Sequence, residues 1–307
     1  MFQAQRKKTN NVLYSGMSSR TSAKLLNEWL VDYSIELNPA SLKKLPNLNT
    51  LFPSTCKIFI PSLPGKDFSE VCEGVSRVKS DGLIPIPHIV ARNIKNKAQL
   101  KQHLDKLQEF NIDELLLLGG GTEQVSGEFE CVTDMLETRI FEEYSFSKYN
   151  IAGHPEKHPF ATDQQLLDAY KAKYEYLNSR NKDLCVITQF SFLSDCYINF
   201  AKKFIELGIP IPIKAGLPGK TELLTLIKYS VLCGVGNSLK VLKKDTSNLL
   251  KLTAGFSPEN IFIPLADKVI EQGIENLTGL HFFSFGNVKK TSELLKKISL
   301  SHSVTSV

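Results

Sequence analysis

The chain has 307 residues, 42% apolar and 22% charged, with 18 Gly and 14 Pro, which excludes collagen-like, low-complexity and disordered proteins. Its net charge of +5 sits at the ends, in Arg6, Lys7 and Lys8 and in Lys289, Lys290, Lys296 and Lys297, and no basic stripe crosses the body, so a nucleic-acid partner is not expected. Apolar runs such as 115–118 fall far short of the ~20 residues that span a bilayer, so no membrane is expected either.

Residues 1–27 contain no acidic side chain and no apolar signal-peptide core, and they read as a flexible basic arm of a cytoplasmic protein. From residue 28 onward, short runs rich in branched and aromatic residues recur at 33–37, 56–60, 83–90, 114–118, 150–154, 184–189, 211–216 and 279–285. Their apolarity is continuous rather than alternating, as in strands covered on both faces. Segments with apolar residues three or four apart fall between them, at 68–79, 98–109, 132–144, 164–177, 195–207, 221–233 and 258–272. Eight strand-then-helix units predict an α/β fold, a (β/α)8 TIM barrel over 28–300 with a tail at 301–307. The long interval between strands seven and eight predicts extra helical material around 237–244. The six cysteines are scattered without a C-x-x-C pair, which suggests free thiols in a reducing compartment and no zinc site.

In this fold, active sites lie at the carboxyl ends of the strands and in the loops after them. Here those places hold Glu36 and Asn38, residues 61–65, His88 with Arg92, Gly119–Gly121, His154 to His158, Gln189, residues 216–219 and residues 284–287. Glu36 in a partly dry barrel mouth has the chemistry of a general acid; the alternative is a carboxylate paired to a lysine. Gly119, Gly120 and Gly121 follow a strand but match neither a dinucleotide fingerprint nor a Walker loop; they allow a flat ligand to approach the backbone, or they form a turn. His154 and His158 are four apart, but the intervening prolines exclude the helical metalloprotease arrangement, which favours contacts to a cofactor over a metal. His88 reads equally as a core histidine or a ligand contact. Gln189 offers both a donor and an acceptor, suited to the edge of a pterin or to an internal strand-end bond.

A set of ordered segments then carries a resemblance: Ser-Ile-Glu-Leu-Asn-Pro (34–39), Pro-His-Ile-Val-Ala-Arg (87–92), Ile-Ala-Gly-His-Pro-Glu-Lys-His-Pro (151–159), Ile-Thr-Gln-Phe (187–190), Pro-Ile-Lys-Ala-Gly-Leu-Pro (212–218) and Leu-His-Phe-Phe-Ser-Phe (280–285). From about residue 30 to about 298 the chain resembles the methylenetetrahydrofolate reductase family, and it looks most like a divergent bacterial branch. The resemblance implies a barrel holding FAD, reduced by NADH or NADPH, that passes hydride to 5,10-methylenetetrahydrofolate to give 5-methyltetrahydrofolate, in the chemistry of one-carbon metabolism and methionine biosynthesis. It implies Glu36 as the acid that helps open the folate ring and Gln189 and Asn287 as substrate contacts. His88, Gly119, Gly120, Gly121, His154, His158 and Lys173 are implied along the cofactor. Gly121 stands where the family has an aspartate, and His154 replaces an aromatic residue. Two alternatives follow from these departures, a flavin-independent folate reductase and a non-catalytic folate- or flavin-binding partner protein. A homo-oligomer is compatible with the sequence.

Overall fold

The computed structural model describes residues 21–121, 125–158, 161–233, Val235 and 256–304. Eight strands, β1 (Ser34–Glu36), β2 (Lys57–Ile60), β3 (Ile84–Val90), β4 (Glu114–Leu118), β5 (Lys148–Gly153), β6 (Asp183–Thr188), β7 (Ile213–Pro218) and β8 (Leu277–Phe283), pair in parallel with their sequence neighbours, and β8 pairs with β1 to close a barrel. All eight expected strands are present, displaced by two residues at most at either end. The described helices are α1 (Ser22–Val31), α2 (Pro39–Leu42), α3 (Ser69–Ser80), α4 (Lys97–Glu109), α5 (Val132–Glu137), α6 (Asp163–Asn178), α7 (Ser194–Glu206), α8 (Leu223–Leu232), α9 (Glu259–Glu271) and α10 (Val288–Val304). Among the described residues, no helix is long and apolar enough to cross a membrane.

The strand alternation divides the apolar side chains into two cores. Outward residues such as Ile35, Ile58, Ile60, Leu115, Leu117, Leu280 and Phe282 join the helices in one large core. Inward-facing Phe59, Ile86, Leu116 and Ile187 form a small second core inside the barrel. Burial on both faces is why the strand sequences are continuously apolar.

The turns from helix to strand share one device. Gly82, Asn111, Asn181, Gly208 and Gly273 follow α3, α4, α6, α7 and α9, and all five have φ between +50° and +76°. The next residue's N–H then donates to the carbonyl five residues back, as in Leu83 to Val78 and Ile112 to Leu107, satisfying a helix-end acceptor. Glycine or asparagine occupies all five positions because few other residues adopt that backbone region readily.

Three elements differ from expectation. Of the arm expected over 1–27, residues 1–20 lie outside the described residues, and the rest forms the start of α1, whose Leu25, Leu26, Trp29 and Leu30 are buried against α9, α10 and β8; Thr21 caps its start by accepting from the N–H of Lys24. The helix expected over 132–144 stops at Glu137, because the Thr138 hydroxyl binds the carbonyl of Met135 and accepts from the N–H of Ile140. Arg139 then takes φ +60° and a 3₁₀ turn follows over Ile140–Glu143. Helix α10 runs past the expected boundary at residue 300. The extra helical material expected around 237–244 lies outside the described residues.

Candidate active site

The apolar plug of Phe59, Ile86, Leu116 and Ile187 separates two cavities along the barrel axis. The lower one, about 560 Å³, opens at the amino ends of the strands. Its polar groups bind one another: Lys57 pairs with Glu114 at 2.6 Å, Asn150 Nδ2 donates to Glu114 at 3.0 Å, and Lys214 pairs with Asp32 at 2.9 Å. This network is satisfied internally, as in a structural barrel floor.

The upper cavity, about 340 Å³, lies at the carboxyl ends. Glu36, the last residue of β1, points into it from the barrel wall. The strand end is fixed by Leu37, whose N–H donates to the Phe59 carbonyl at 2.9 Å, and by Ser284, whose hydroxyl donates to the Glu36 carbonyl at 3.0 Å. Its side chain is 28% exposed, and burial pushes its carboxyl group up to about 7. No lysine or arginine pairs with it among the described residues, so the alternative of a lysine-bound carboxylate does not occur. The nearest charged-type partner is His88 on β3, whose Nε2 lies 3.8 Å from Glu36 Oε2. His88 is buried, and its Nε2 has no hydrogen-bond partner. Burial holds its imidazole down at about 3, so it is neutral at physiological pH. His88 is therefore both a core residue and a cavity-lining one.

Gln189 also lines this cavity. Its Oε1 accepts from the N–H of Phe190 at 3.0 Å, and the thiol of Cys233, which follows α8, lines the same cavity. The amide is thus held internally and still faces the cavity, so both readings of it are met in part. On the strand adjoining Glu36, His281 Nδ1 bonds Ser34 Oγ at 2.9 Å and its ring meets Phe59 edge-on at 4.7 Å. Phe283, Phe285 and Tyr229 form an aromatic rim, with Phe285 stacked on Tyr229 at 4.5 Å.

At the edge of the cavity, which His154 lines, three nitrogen bases converge. His154 and His158 meet edge to face at 4.6 Å, and His154 is anchored by the Tyr170 hydroxyl. Lys173 Nζ sits 5.5 Å from the Tyr170 ring centre. Burial lowers Lys173 to about 8 and His154 to about 3, and the Arg92 and Lys173 charges add to the burial that lowers His158. The charged groups that lower His154 besides burial are His158 and Lys173, both basic, which gives this corner the electrostatics of an anion site. Among the described residues, no three His, Cys, Asp or Glu side chains converge to hold a metal.

Gly119, Gly120 and Gly121 lie outside the cavity lining. The Gly119 carbonyl accepts from the N–H of Arg92 at 3.0 Å. Gly120 has φ +119°, and a Cβ there would press on Arg92 and Val90 at 3.2 and 3.3 Å; around Gly121 the space is open. Asn287 is not brought to the cavity: its Nδ2 donates to Thr221 Oγ1 at 2.9 Å and ties the loop after β8 to the one after β7. The sequence does not single out Cys233, His281 or Tyr229, whereas Phe285 lies in the 284–287 strand-end stretch. His281 and Phe285 lie within the 280–285 segment; nothing in the sequence around Cys233 marks it.

A family model described as methylenetetrahydrofolate reductase matches residues 74–299, about three-quarters of the chain. "Methylenetetrahydrofolate reductase (NADH) 1" of Arabidopsis thaliana is 22% identical over 189 residues, covering 58% of this chain and 30% of that protein. "Probable methylenetetrahydrofolate reductase (NADH)" of Oryza sativa subsp. japonica is 30% identical over 100 residues, 31% of this chain and 17% of that one. "Methylenetetrahydrofolate reductase (NADH) 1" of Zea mays is 29% identical over 100 residues, with the same coverages. The matched stretches span less than a third of each of these relatives. His88, Gln189 and the basic corner fall inside the family match, whereas Glu36 falls before it.

Proposed function

The chain belongs to the methylenetetrahydrofolate reductase family, and from that premise we propose that it is a flavin-dependent oxidoreductase that reduces 5,10-methylenetetrahydrofolate to 5-methyltetrahydrofolate. The observation that carries this reading is Glu36, an inward carboxyl group without a cationic partner, raised to about 7 and sharing one cavity with Gln189. A carboxylic acid poised near neutrality is the group needed to protonate a folate ring nitrogen as the bridging carbon is released. Gln189, its Oε1 held by the Phe190 N–H, presents an oriented amide to the edge of a pterin.

The residues present fit FAD. Arg92, His154, His158 and Lys173 form a basic corner that suits phosphates, and among the described residues nothing lies within 4 Å of a Cβ at Gly121, where a flat ring can approach the backbone. When bound, FAD supplies a two-electron acceptor for NADH or NADPH and a hydride donor to the substrate. The protein's contribution is to orient the two ligands, exclude water with the aromatic rim of Phe283, Phe285 and Tyr229, and deliver the proton from Glu36. We also assign the protein to the cytoplasm, consistent with six free thiols.

Glu36→Gln keeps the shape but removes the proton. In a steady-state assay with a reduced nicotinamide, FAD and methylenetetrahydrofolate, it is expected to lower folate turnover by about 10²–10⁴-fold. Turnover at the wild-type rate in this variant would remove Glu36 from the reaction. Gly121, in place of the family aspartate, favours one second reading, hydride transfer directly from the nicotinamide. NADH oxidation by flavin-free protein with methylenetetrahydrofolate would support it, and strict dependence on added FAD would exclude it.

A further inference from the structure

The geometry points to His88 as the positioning residue for Glu36, an imidazole that holds the same carboxyl group in both of its protonation states. This deepens the reading of Glu36 as the acid and rests on it for its functional meaning. Three observations carry it. His88 Nε2 is sealed from solvent and has no hydrogen-bond partner. A buried polar nitrogen left in that state is costly unless some state of the protein satisfies it. The ionisable oxygen facing it is Glu36 Oε2 at 3.8 Å, about 1 Å beyond a hydrogen bond, a gap that a small side-chain rotation closes.

Among the described residues, the titratable groups sharing the cavity with Glu36 are His88 from β3, His154 after β5, His281 from β8, and Tyr229 and Cys233 from α8 and its carboxyl end. His154 is engaged with the Tyr170 hydroxyl and His281 with Ser34, and His88 is the one whose ring nitrogen lies within 4 Å of the Glu36 carboxyl group. Lys57 and Lys214, the inward lysines of β2 and β7, lie in the lower cavity and are paired with Glu114 and Asp32. Neutral imidazole carries one proton and can place it on either nitrogen. With Glu36 protonated, Oε2–H donates to bare Nε2 and the ring proton is on Nδ1. With Glu36 ionised, Nε2–H donates to the carboxylate. Between the two states one proton leaves the pair: the carboxyl proton crosses to Nε2, and the Nδ1 proton departs to water in the cavity that the ring lines. The ring is neutral before and after, so its burial is not violated.

Hydrogen bonds to a charged acceptor are the stronger kind, so removing the imidazole costs the carboxylate more than the acid. Infrared titration of the Glu36 carboxyl band, identified by its loss in Glu36→Gln, is therefore expected to move upward by at least about one pH unit in His88→Leu. In His88→Gln, whose amide can still donate or accept, it is expected to return close to the wild-type midpoint. An unmoved midpoint in His88→Leu, or His88→Gln displaced as far as His88→Leu, would overturn the pairing. Should His88→Leu fail to fold, nitrogen NMR of the intact protein decides. Nε2 of His88 is expected to change from pyridine-type to pyrrole-type as Glu36 titrates and to stay fixed in Glu36→Gln; an Nε2 that ignores the Glu36 titration sinks the proposal. Neither measurement needs flavin or folate. Normal turnover in Glu36→Gln with an Nε2 that follows Glu36 would discard the acid role and leave the pairing standing.

Discussion

A single carboxyl group ties the chemistry of the site to the stability of the protein. Glu36 has an ordinary value of 4.5 and is raised to about 7 by burial. Folding therefore gains from the protonated form: the contribution is complete below about 4.5 and is lost as pH rises through 7. Glu36→Gln, which has no charge to bury, is expected to be more stable than wild type at pH 8 by about 1–3 kcal/mol and equal to it near pH 4. Thermal melts at the two pH values test this; a stability difference independent of pH would mean that the carboxyl is not desolvated in the native state. At this scale the sequence was partly legible. Glu36, His88, His154 and Gln189 all reach the cavity, because strand ends and period-two alternation determine which side chains point inward. Asn287 does not reach it, because its short amide is taken up by Thr221, a contact between two loops that no local pattern encodes. Cys233 was missed because its approach to Gln189 depends on where α8 ends in space, which no local pattern encodes.

Elements are set by a few backbone demands that the sequence states in different degrees of clarity. The sharpest is the approach of β6 to β7. A Cβ on Gly216 would lie 1.9 Å from the Thr188 carbonyl oxygen, while the Gly216 N–H donates to Thr188 Oγ1 at 2.8 Å and its carbonyl accepts from the buried Tyr197 hydroxyl. Backbone is the obstacle, so relaxation requires moving a strand. Gly216→Ala is expected to cost about 3 kcal/mol or more in chemical denaturation, whereas Gly208→Ala, with open space around it, is expected to cost about 1 kcal/mol for its positive φ. Equal losses at the two positions would contradict the close strand approach. The repeated Gly or Asn returns were readable as helix stops. The break at Thr138 was not, because a threonine hydroxyl captures the backbone only when the following residue can swing to positive φ. Helix α1 was hidden by its neighbours: a basic, serine-rich lead disguised four apolar residues whose burial depends on α9 and α10 arriving some 230 residues later.

The whole molecule separates stability from chemistry along one axis. Phe59, Ile86, Leu116 and Ile187 close the barrel at mid-height, the floor beneath them is paired through Lys57–Glu114 and Lys214–Asp32, and the unpartnered Nε2 of His88 lies above. Strand count, order and closure were legible from the eight apolar runs, since parallel strands covered by helices leave an unambiguous rhythm. The division into a satisfied floor and a reactive mouth was not, because it depends on which inward polar residues meet across the barrel. We propose that the basic corner and the Glu36 cavity together form one flavin and folate site. The most direct test is the visible spectrum of the purified protein under anaerobic conditions, first with added FAD, then with a reduced nicotinamide, then with methylenetetrahydrofolate. A bound flavin band that bleaches with the nicotinamide and returns with the folate is the predicted result. A colourless protein that ignores FAD, or a bleached flavin that the folate leaves unchanged, would contradict it.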